Sequence, residues 1–330
     1  MISVNTRQRT ALRSLPPAGF LRHALVLLCL AWGPALFAWG KPHELITRVA
    51  CERLPEWQKA LVKDELEAFA RLYCLFPDLA SAPNETEAGR HLLPLKTPSK
   101  LALHIPASAE QNWAVFSAYV PVIVEKFEQE DVSAGMKYLG CLAHFLEDSC
   151  TPGHIAYGEE SLPAGTMALT QLDFFKQFMP FPDELKDEWL HGRVDHCPIE
   201  IEELRAQTRG YQPRLLGHSI GELNFNLLEE HAQANRRATR NLIPMLMAMV
   251  NQDAAAEVRH GTLAAAEGVR LLADVMYTIL CIATKRFESE PVQSISLADR
   301  LPAVSAPFSW NDKNHQGRLI RNASGSFHAI

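Results

Sequence analysis

Three residues of metal-ligand type lie close together in the stretch Met136–His154, MKYLGCLAHFLEDSCTPGH. His144 and Asp148 are four residues apart, so on a helix they project from the same face, one turn above the other. The surrounding residues are mostly apolar, and a His and an Asp in such surroundings are costly unless they are paired or bind a metal. Thr151-Pro152-Gly153 then ends the helix and turns the chain, which could bring His154 back beside its start. The spacing predicts half of a metal site.

The first 38 residues differ in composition from the rest of the chain. Four arginines precede the apolar run Ala24–Leu30. No acidic residue precedes Glu44, and the small residue Ala38 precedes Trp39. This layout is typical of a secretory signal peptide, and the apolar run is too short to predict a membrane span. We expect residues 1–38 to be removed on export to a secreted or periplasmic location. An uncleaved N-terminal anchor is the alternative.

The charge of the expected mature chain limits its partners. Residues 1–38 hold four of the 32 basic residues and none of the 38 acidic ones, which leaves a net charge of −10. An exported protein this acidic binds nucleic acid or anionic lipid poorly through charge alone. We therefore expect no stable nucleic-acid complex. A small phosphate held by metal ions is compatible with this charge.

Cysteine usage leaves two alternatives. Six cysteines follow residue 38, an even number that disulfides could join in an exported protein. They are Cys51, Cys74, Cys141, Cys150, Cys197 and Cys281. They are too widely spaced for a CxxC zinc site, and several lie in apolar helical runs, where buried free thiols are the alternative to bridges.

Helical apolar periodicity dominates the sequence, without strand alternation of useful length, an internal repeat or a glycine-rich phosphate loop. We predict an all-α, single-domain bundle of about eight or more helices over residues 39–290, followed by an irregular C-terminal tail, residues 291–330. The predicted helices lie at about 43–50, 56–75, 109–129, from 131–133 to the stop at 151–153, 167–178, 220–253 with a kink at Pro244, and 262–287. The proline-containing segment 79–107 is predicted to be a loop, and segment 179–213 is predicted to hold short helices broken by prolines.

The segment HFLEDSCTPGH resembles the core motif of the zinc-dependent phospholipase C family and of the related single-strand nucleases with three zinc ions. That motif is a His, three residues, an Asp, five residues and a His, which His144, Asp148 and His154 match without a gap. The family is all-helical and exported, and its mature chains begin with Trp. Here Trp39-Gly40 follows the predicted cleavage site, with His43 shortly after, as in the nuclease branch. The resemblance covers about residues 39–178 and implies a multi-helix bundle of the phospholipase C and zinc nuclease type.

The resemblance also implies the ligands of a first zinc ion. The α-amine and carbonyl oxygen of Trp39 would bind it, with His43 as a further ligand. Asp148 would bridge this zinc to a second one. Since only a cleaved chain has the Trp39 amine, export and metal loading would be linked.

A second zinc ion would be held by His144, Asp78 and a histidine from the 79–107 loop. His104 is the favoured loop histidine, because its distance to the next helix resembles that in the family, and His91 is the alternative. Nitrogen and carboxylate ligands of this kind suit zinc. Asp78 is the implied general base, which would orient an attacking water towards phosphorus. Without the resemblance, Asp78 is equally well interpreted as a turn residue after Pro77.

At the third zinc site the chain departs from the family pattern. In the family a His and a Glu four residues later join the equivalent of His154, but the matching residues here are Leu169 and Asp173. Leu169 cannot bind a metal, so either the third zinc is lost or another histidine replaces the missing ligand. The histidines available for this are His191, His196 and His218.

Three functions are compatible with these residues. The favoured one is an exported, zinc-dependent, phospholipase C-like phosphodiesterase that uses metal-activated water to cleave a phospholipid between glycerol and phosphate, with transient contact to a membrane surface. The second is a nuclease or nucleotidase acting on single-stranded nucleic acid, which Trp39-Gly40 favours. The third is a helical binding protein that keeps the fold but has lost turnover, which the missing third-site histidine favours.

Overall fold

Helices account for most of the residues that the computed structural model describes, which are 40–81, 109–151, 197–292, 319–321 and 327–329. All of these residues belong to one compact unit, Phe37–Ile330. The described part of the chain is all-α apart from two three-residue strands. This confirms the all-α class predicted from the apolar periodicity.

The helices are numbered in chain order. They are α1 Gly40–Arg53, α2 Glu56–Val62, α3 Leu66–Arg71, a 3₁₀ turn Tyr73–Leu75, α4 Phe76–Ser81, α5 Ala109–Glu128, α6 Val132–Asp148, α7 Ile201–Gln207, α8 Ile220–Thr239, α9 Leu242–Val250 and α10 Ala254–Thr284. Two short strands, β1 Leu319–Arg321 and β2 Phe327–Ala329, pair antiparallel, with Ile320 opposite His328.

Helix α10 is the centre of the described bundle. It contacts α1, α5, α6, α7, α8 and α9, and every residue from Leu271 to Ile282 is buried. A helix that is buried on all sides belongs to a hydrophobic core rather than to a surface. Its first turn is capped by Asp253, whose carboxylate accepts a hydrogen bond from the Ala256 backbone N–H at 3.0 Å. It ends at Thr284, and the following residue, Lys285, has a left-handed backbone with φ 55°.

Helix α6 packs against α5 and against the 3₁₀ turn. Asp131 caps it by accepting a hydrogen bond from the Ala134 backbone N–H at 3.1 Å. Gly140 permits the close approach to the 3₁₀ turn, because a Cβ at this position would lie 2.5 Å from the Tyr73 carbonyl carbon. This packing presses the Tyr73–Leu75 segment, and α4 after it, onto the face of α6 that carries His144.

The prediction of one continuous helix over 56–75 is wrong. The structure divides it into α2, α3 and the 3₁₀ turn, with a turn at Lys63-Asp64-Glu65 between α2 and α3. The Tyr73 hydroxyl donates a hydrogen bond to the Glu65 carboxylate at 2.8 Å, which holds this charged turn against the next element. Two leucines of this segment that helical spacing would bury, Leu61 and Leu72, are exposed.

The kink predicted at Pro244 is also misplaced. The predicted 220–253 helix breaks before it, at Arg240-Asn241, and resumes as α9. Pro244 then lies in the first turn of α9, where a backbone N–H has no intrahelical acceptor and a proline is tolerated. The helix predicted over 262–287 begins eight residues earlier, at Ala254.

Three further findings concern the tail, the cysteines and membrane spans. The 291–330 segment, predicted to be irregular, contains the β1–β2 pair, and Pro291 forms a parallel bridge with Leu215. All six cysteines after residue 38 are buried free thiols, which is the alternative to disulfide bridges that the sequence left open. Among the described residues, none of the helices combines the length and the hydropathy needed to cross a bilayer.

Candidate metal centre

His43, His144 and Asp148 form a buried cluster of metal-ligand type. One ligand atom from each lies within 4.8 Å of the others. The Asp148 carboxylate contacts the Nε2 atoms of both imidazoles, with Oδ1 3.1 Å from His43 Nε2 and Oδ2 3.2 Å from His144 Nε2. The two imidazole rings stack, with centroids 4.2 Å apart. This group could hold a metal ion.

Two helices position these three side chains. His144 and Asp148 are one turn apart near the end of α6, as the spacing predicts. His43 lies in the first turn of α1, which contacts α6. All three side chains have no solvent exposure. The predicted proximity of His43 to the His144–Asp148 pair is therefore present in the structure.

Asp78 lies beside this cluster. It is in the first turn of α4, it is only 3% exposed, and its Oδ1 lies 3.5 Å from His144 Nε2. Pro77 occupies the first turn of the same helix, where its missing N–H costs no intrahelical bond. Asp78 is thus a buried helical residue facing the cluster, and the alternative of a turn residue after Pro77 is wrong.

A backbone carbonyl fixes the orientation of His144. The carbonyl oxygen of Cys74 lies 2.8 Å from His144 Nδ1. Because a carbonyl only accepts hydrogen bonds, Nδ1 is the donor, and Nε2 faces the carboxylates of Asp148 and Asp78. The partner of the far ring nitrogen commonly sets the tautomer of a metal-binding histidine in this way.

A carboxylate fixes the orientation of the His43 ring. Glu147 Oε2 lies 2.6 Å from His43 Nδ1, and Glu147 Oε1 accepts a hydrogen bond from the Thr47 hydroxyl at 2.6 Å. Sequence reasoning did not identify Glu147 or Thr47. The available signal was weak: Thr47 lies one helical turn after His43, and Glu147 immediately precedes a predicted ligand.

The electrostatics of the cluster favour bound cations. Three carboxylates, those of Asp78, Glu147 and Asp148, are buried with the two imidazoles. Burial opposes the charged form of His43, but hydrogen bonds to Asp148 and Glu147 outweigh it and raise the pKa of His43 well above its ordinary value. Burial raises the pKa of Glu147, and the hydrogen bond from His43 opposes this shift. The cluster therefore holds a proton tightly at a place where a metal cation could balance the same charge.

The donor chemistry of the cluster fits zinc. Two imidazole nitrogens and carboxylate oxygens converge, and both imidazoles are oriented from their far nitrogens. Zinc favours such nitrogen and oxygen ligands, and zinc-binding histidines commonly donate their other N–H to a carboxylate or carbonyl oxygen. The described residues that would hold the metal are His43, His144 and Asp148, with Asp78 beside them.

A second buried polar group fixes the end of α6. His231 Nε2 on α8 lies 2.5 Å from the Ser149 hydroxyl, and the Asn235 side chain donates to the Ser149 carbonyl at 2.8 Å. The His231 ring stacks on Phe145, with centroids 5.4 Å apart. These contacts hold the residue that follows Asp148, and sequence reasoning did not predict them.

Most of the remaining predicted site residues fall where the structure is not described. Those that lie outside the described residues are Trp39, His104, its alternative His91, His154, Leu169, Asp173, His191 and His196. His218 is described. It is exposed just before α8, and its ring packs edge-on against Phe287 with centroids 4.8 Å apart.

Comparisons with known proteins identify no family for this chain. A scan against protein-family models matches none, and searches of the curated proteins and of the solved structures find no significant match.

Proposed function

We propose that this protein is an exported, zinc-dependent phosphoric ester hydrolase that cleaves a phosphodiester of a phospholipid, as phospholipases C do. One observation carries the proposal. His43, Asp78, His144 and Asp148 come from three separate segments of the chain, and they lie together at one buried place. The resemblance of HFLEDSCTPGH to the zinc-dependent phospholipase C family implies the same four residues as ligands.

Asp148 would bridge two zinc ions, because each of its oxygens already faces a different imidazole. His43 would serve one zinc together with Trp39, and His144 would serve the other together with Asp78 and His104. His154 would belong to a third zinc site, for which Leu169 leaves the ligand set incomplete. The proposal therefore rests on two zinc ions.

Zinc bound here would activate water for attack and neutralise charge on the phosphoryl oxygens. The carboxylate of Asp78 would accept the proton of the attacking water, since it lies at the edge of the cluster beside His144. The Cys74 carbonyl and the Glu147 carboxylate keep both imidazoles fixed during this step. The burial of these side chains limits the access of bulk water, which strengthens their electrostatic interactions.

The first test is hydrolysis by the exported protein. Purified protein with zinc is incubated in parallel with a chromogenic phosphocholine ester and with single-stranded DNA. We expect turnover of the phosphocholine ester, and we expect Asp78→Asn to lose it. Turnover of DNA alone would reject the lipid substrate in favour of the nuclease, and turnover of neither by zinc-loaded protein would favour the binding protein that lacks catalysis.

The second test concerns export. Helix α1 begins at Gly40, so a chain cleaved before Trp39 would present its new amine directly ahead of the first turn that carries His43. We expect N-terminal sequencing of the secreted or periplasmic protein to begin at Trp39. An N-terminus elsewhere would exclude the Trp39 amine as a zinc ligand, while the cluster of His43, His144 and Asp148 would remain.

A further inference from the structure

The two imidazoles of the centre are oriented by partners of different charge. His144 Nδ1 donates to a neutral backbone carbonyl, that of Cys74, at 2.8 Å. His43 Nδ1 instead contacts the carboxylate of Glu147 at the shorter distance of 2.6 Å. A hydrogen bond to an ionised acceptor is shorter and stronger than one to a neutral acceptor. If each histidine serves one metal ion, as in the proposed function, the two metal positions differ in the group that contacts the Nδ1 atom of their histidine.

Glu147 is held in place by the same helix that carries His43. Its second oxygen accepts the Thr47 hydroxyl at 2.6 Å, and Thr47 lies one turn after His43 on α1. Both carboxylate oxygens are thus occupied by groups from one helical face. Since the Glu147 side chain has no solvent exposure, water does not compete for these two bonds.

Glu147 and Asp148 together enclose the His43 ring. The two residues are consecutive at the end of α6, yet they reach opposite nitrogens, Glu147 the Nδ1 and Asp148 the Nε2 at 3.1 Å. A displacement of α1 along α6 would therefore break the contacts of both carboxylates with the ring. The imidazole of His43 has one orientation that satisfies both.

From this geometry we infer that Glu147 is a positioning residue that makes the His43 position the tighter of the two metal positions. The inference rests on the metal centre of the proposed function. A carboxylate behind a histidine fixes its tautomer and raises the basicity of the nitrogen that faces the metal, and the loss of such a partner typically lowers metal affinity by about 10–100-fold. At the His144 position a carbonyl supplies orientation without the added negative charge.

A purely structural role for Glu147 makes a different prediction. If the carboxylate only joined α1 to α6, its replacement would lower stability and would leave the affinities of the two metal positions in their original order. If it positions and polarises His43, Glu147→Gln should weaken one position selectively, because a glutamine keeps the shape but presents a neutral oxygen, as Cys74 does at the other position.

The experiment is a titration of metal-free protein with Co²⁺, followed by visible absorption and by equilibrium dialysis. The wild-type protein should bind about two Co²⁺ ions with unequal affinity. In Glu147→Gln the tighter position should weaken by about 10-fold or more, with a changed absorption spectrum for the first equivalent. Glu257→Gln makes the same chemical change at a buried glutamate of α10 outside the cluster, and it should leave both affinities unchanged.

Thr47→Val provides a second variant if Glu147→Gln does not fold, which far-UV circular dichroism would show. It removes one donor to Glu147 but keeps the carboxylate behind His43, so we expect a smaller loss at the same position. Folded Glu147→Gln with wild-type affinities and an unchanged spectrum would overturn the inference. Wild-type protein that binds two Co²⁺ ions unequally but hydrolyses no phosphodiester would overturn the proposed function and leave this inference standing.

Discussion

Asp148 is the residue on which the candidate centre depends, because its two oxygens face the Nε2 atoms of His43 and His144 separately. We predict that Asp148→Asn lowers metal affinity by more than about 100-fold and abolishes hydrolysis, since the amide has no negative charge and only one oxygen. Metal content after dialysis and turnover of the phosphodiester are the measurements. Asp64→Asn, at an exposed position of the turn before α3, is the matched control. Unchanged zinc content in Asp148→Asn would show that the bridging role is wrong.

His231 gives a prediction about pH. Burial lowers the pKa of His231 to about 3, whereas an unfolded histidine titrates near about 6.5. The unfolded chain therefore binds more protons between these values, and stability is retained above the unfolded pKa and lost as the pH falls towards the folded one. From about pH 7 to about pH 5, this residue should lower the free energy of unfolding by ~2 kcal/mol.

The measurement is urea unfolding at both pH values, in chelator, for the wild type and for His231→Gln. The variant should lose that part of the pH dependence, although it also loses the contact with Ser149 and is less stable at neutral pH. Equal pH dependence in the two proteins would contradict a neutral, buried His231.

Residue types predicted only part of the centre. His144 and Asp148 follow from helical spacing, and His43 and Asp78 follow from the resemblance. Glu147 was missed because its partner His43 lies 104 residues away in the sequence. A local sequence pattern cannot predict a contact between residues so far apart in the chain. The same reason applies to His231 and Ser149, which are 82 residues apart.

At the scale of elements, the packing of α6 on the 3₁₀ turn connects the hydrophobic core with the candidate metal centre. A Cβ on Gly140 would lie 2.5 Å from Tyr73 backbone and side-chain atoms, and the neighbouring Cys74 carbonyl holds His144. We predict that Gly140→Ala costs about 1–3 kcal/mol of unfolding free energy, because overpacking outweighs the better helix propensity of alanine. It should also weaken metal binding, since the carbonyl must move.

Gly221→Ala is the control for that variant. Gly221 lies in the first turn of α8, and the methyl group of an alanine there would extend into open space, with no neighbouring group within 4 Å. Alanine at this position should therefore leave stability unchanged or raise the free energy of unfolding by up to about 1 kcal/mol. Chemical denaturation and Co²⁺ titration of both variants are the measurements. Equal stability of the two would mean that α6 and the 3₁₀ turn pack less closely than described.

Element boundaries were predictable where capping and periodicity agreed. Helix α5 was predicted over 109–129 and ends at Glu128, and α6 was predicted to begin near Asp131, which caps it. The break between α2 and α3 was missed, because charged residues 63–65 are compatible with a helix and only tertiary contacts such as Tyr73 with Glu65 favour a turn. Pro244 was misjudged because its position relative to the helix start, not its presence, decides its effect.

At the scale of the whole molecule, we expect the buried charge cluster to couple metal binding to stability. Two imidazoles and three carboxylates lie together beneath the surface, and bound cations would relieve the repulsion among the carboxylates and the cost of their desolvation. Metal at about 1,000 times its dissociation constant adds about 4 kcal/mol to the free energy of unfolding. We predict that chelation lowers the melting temperature and that zinc restores it.

Calorimetry before and after chelation, with zinc added back, is the measurement. The Asp148→Asn variant serves as the control, because its melting temperature should respond little to either treatment. A melting temperature of the wild type that is insensitive to both chelator and zinc would contradict the coupling.

The zinc content of the exported wild-type protein tests the central claim most directly. Elemental analysis of protein purified without chelators, with the N-terminal residue determined on the same sample, gives the number of ions per chain. We predict about two zinc ions per chain on a protein that begins at Trp39. A correctly processed, folded protein that begins at Trp39 and carries no zinc, even after dialysis against it, would contradict the proposed metal centre.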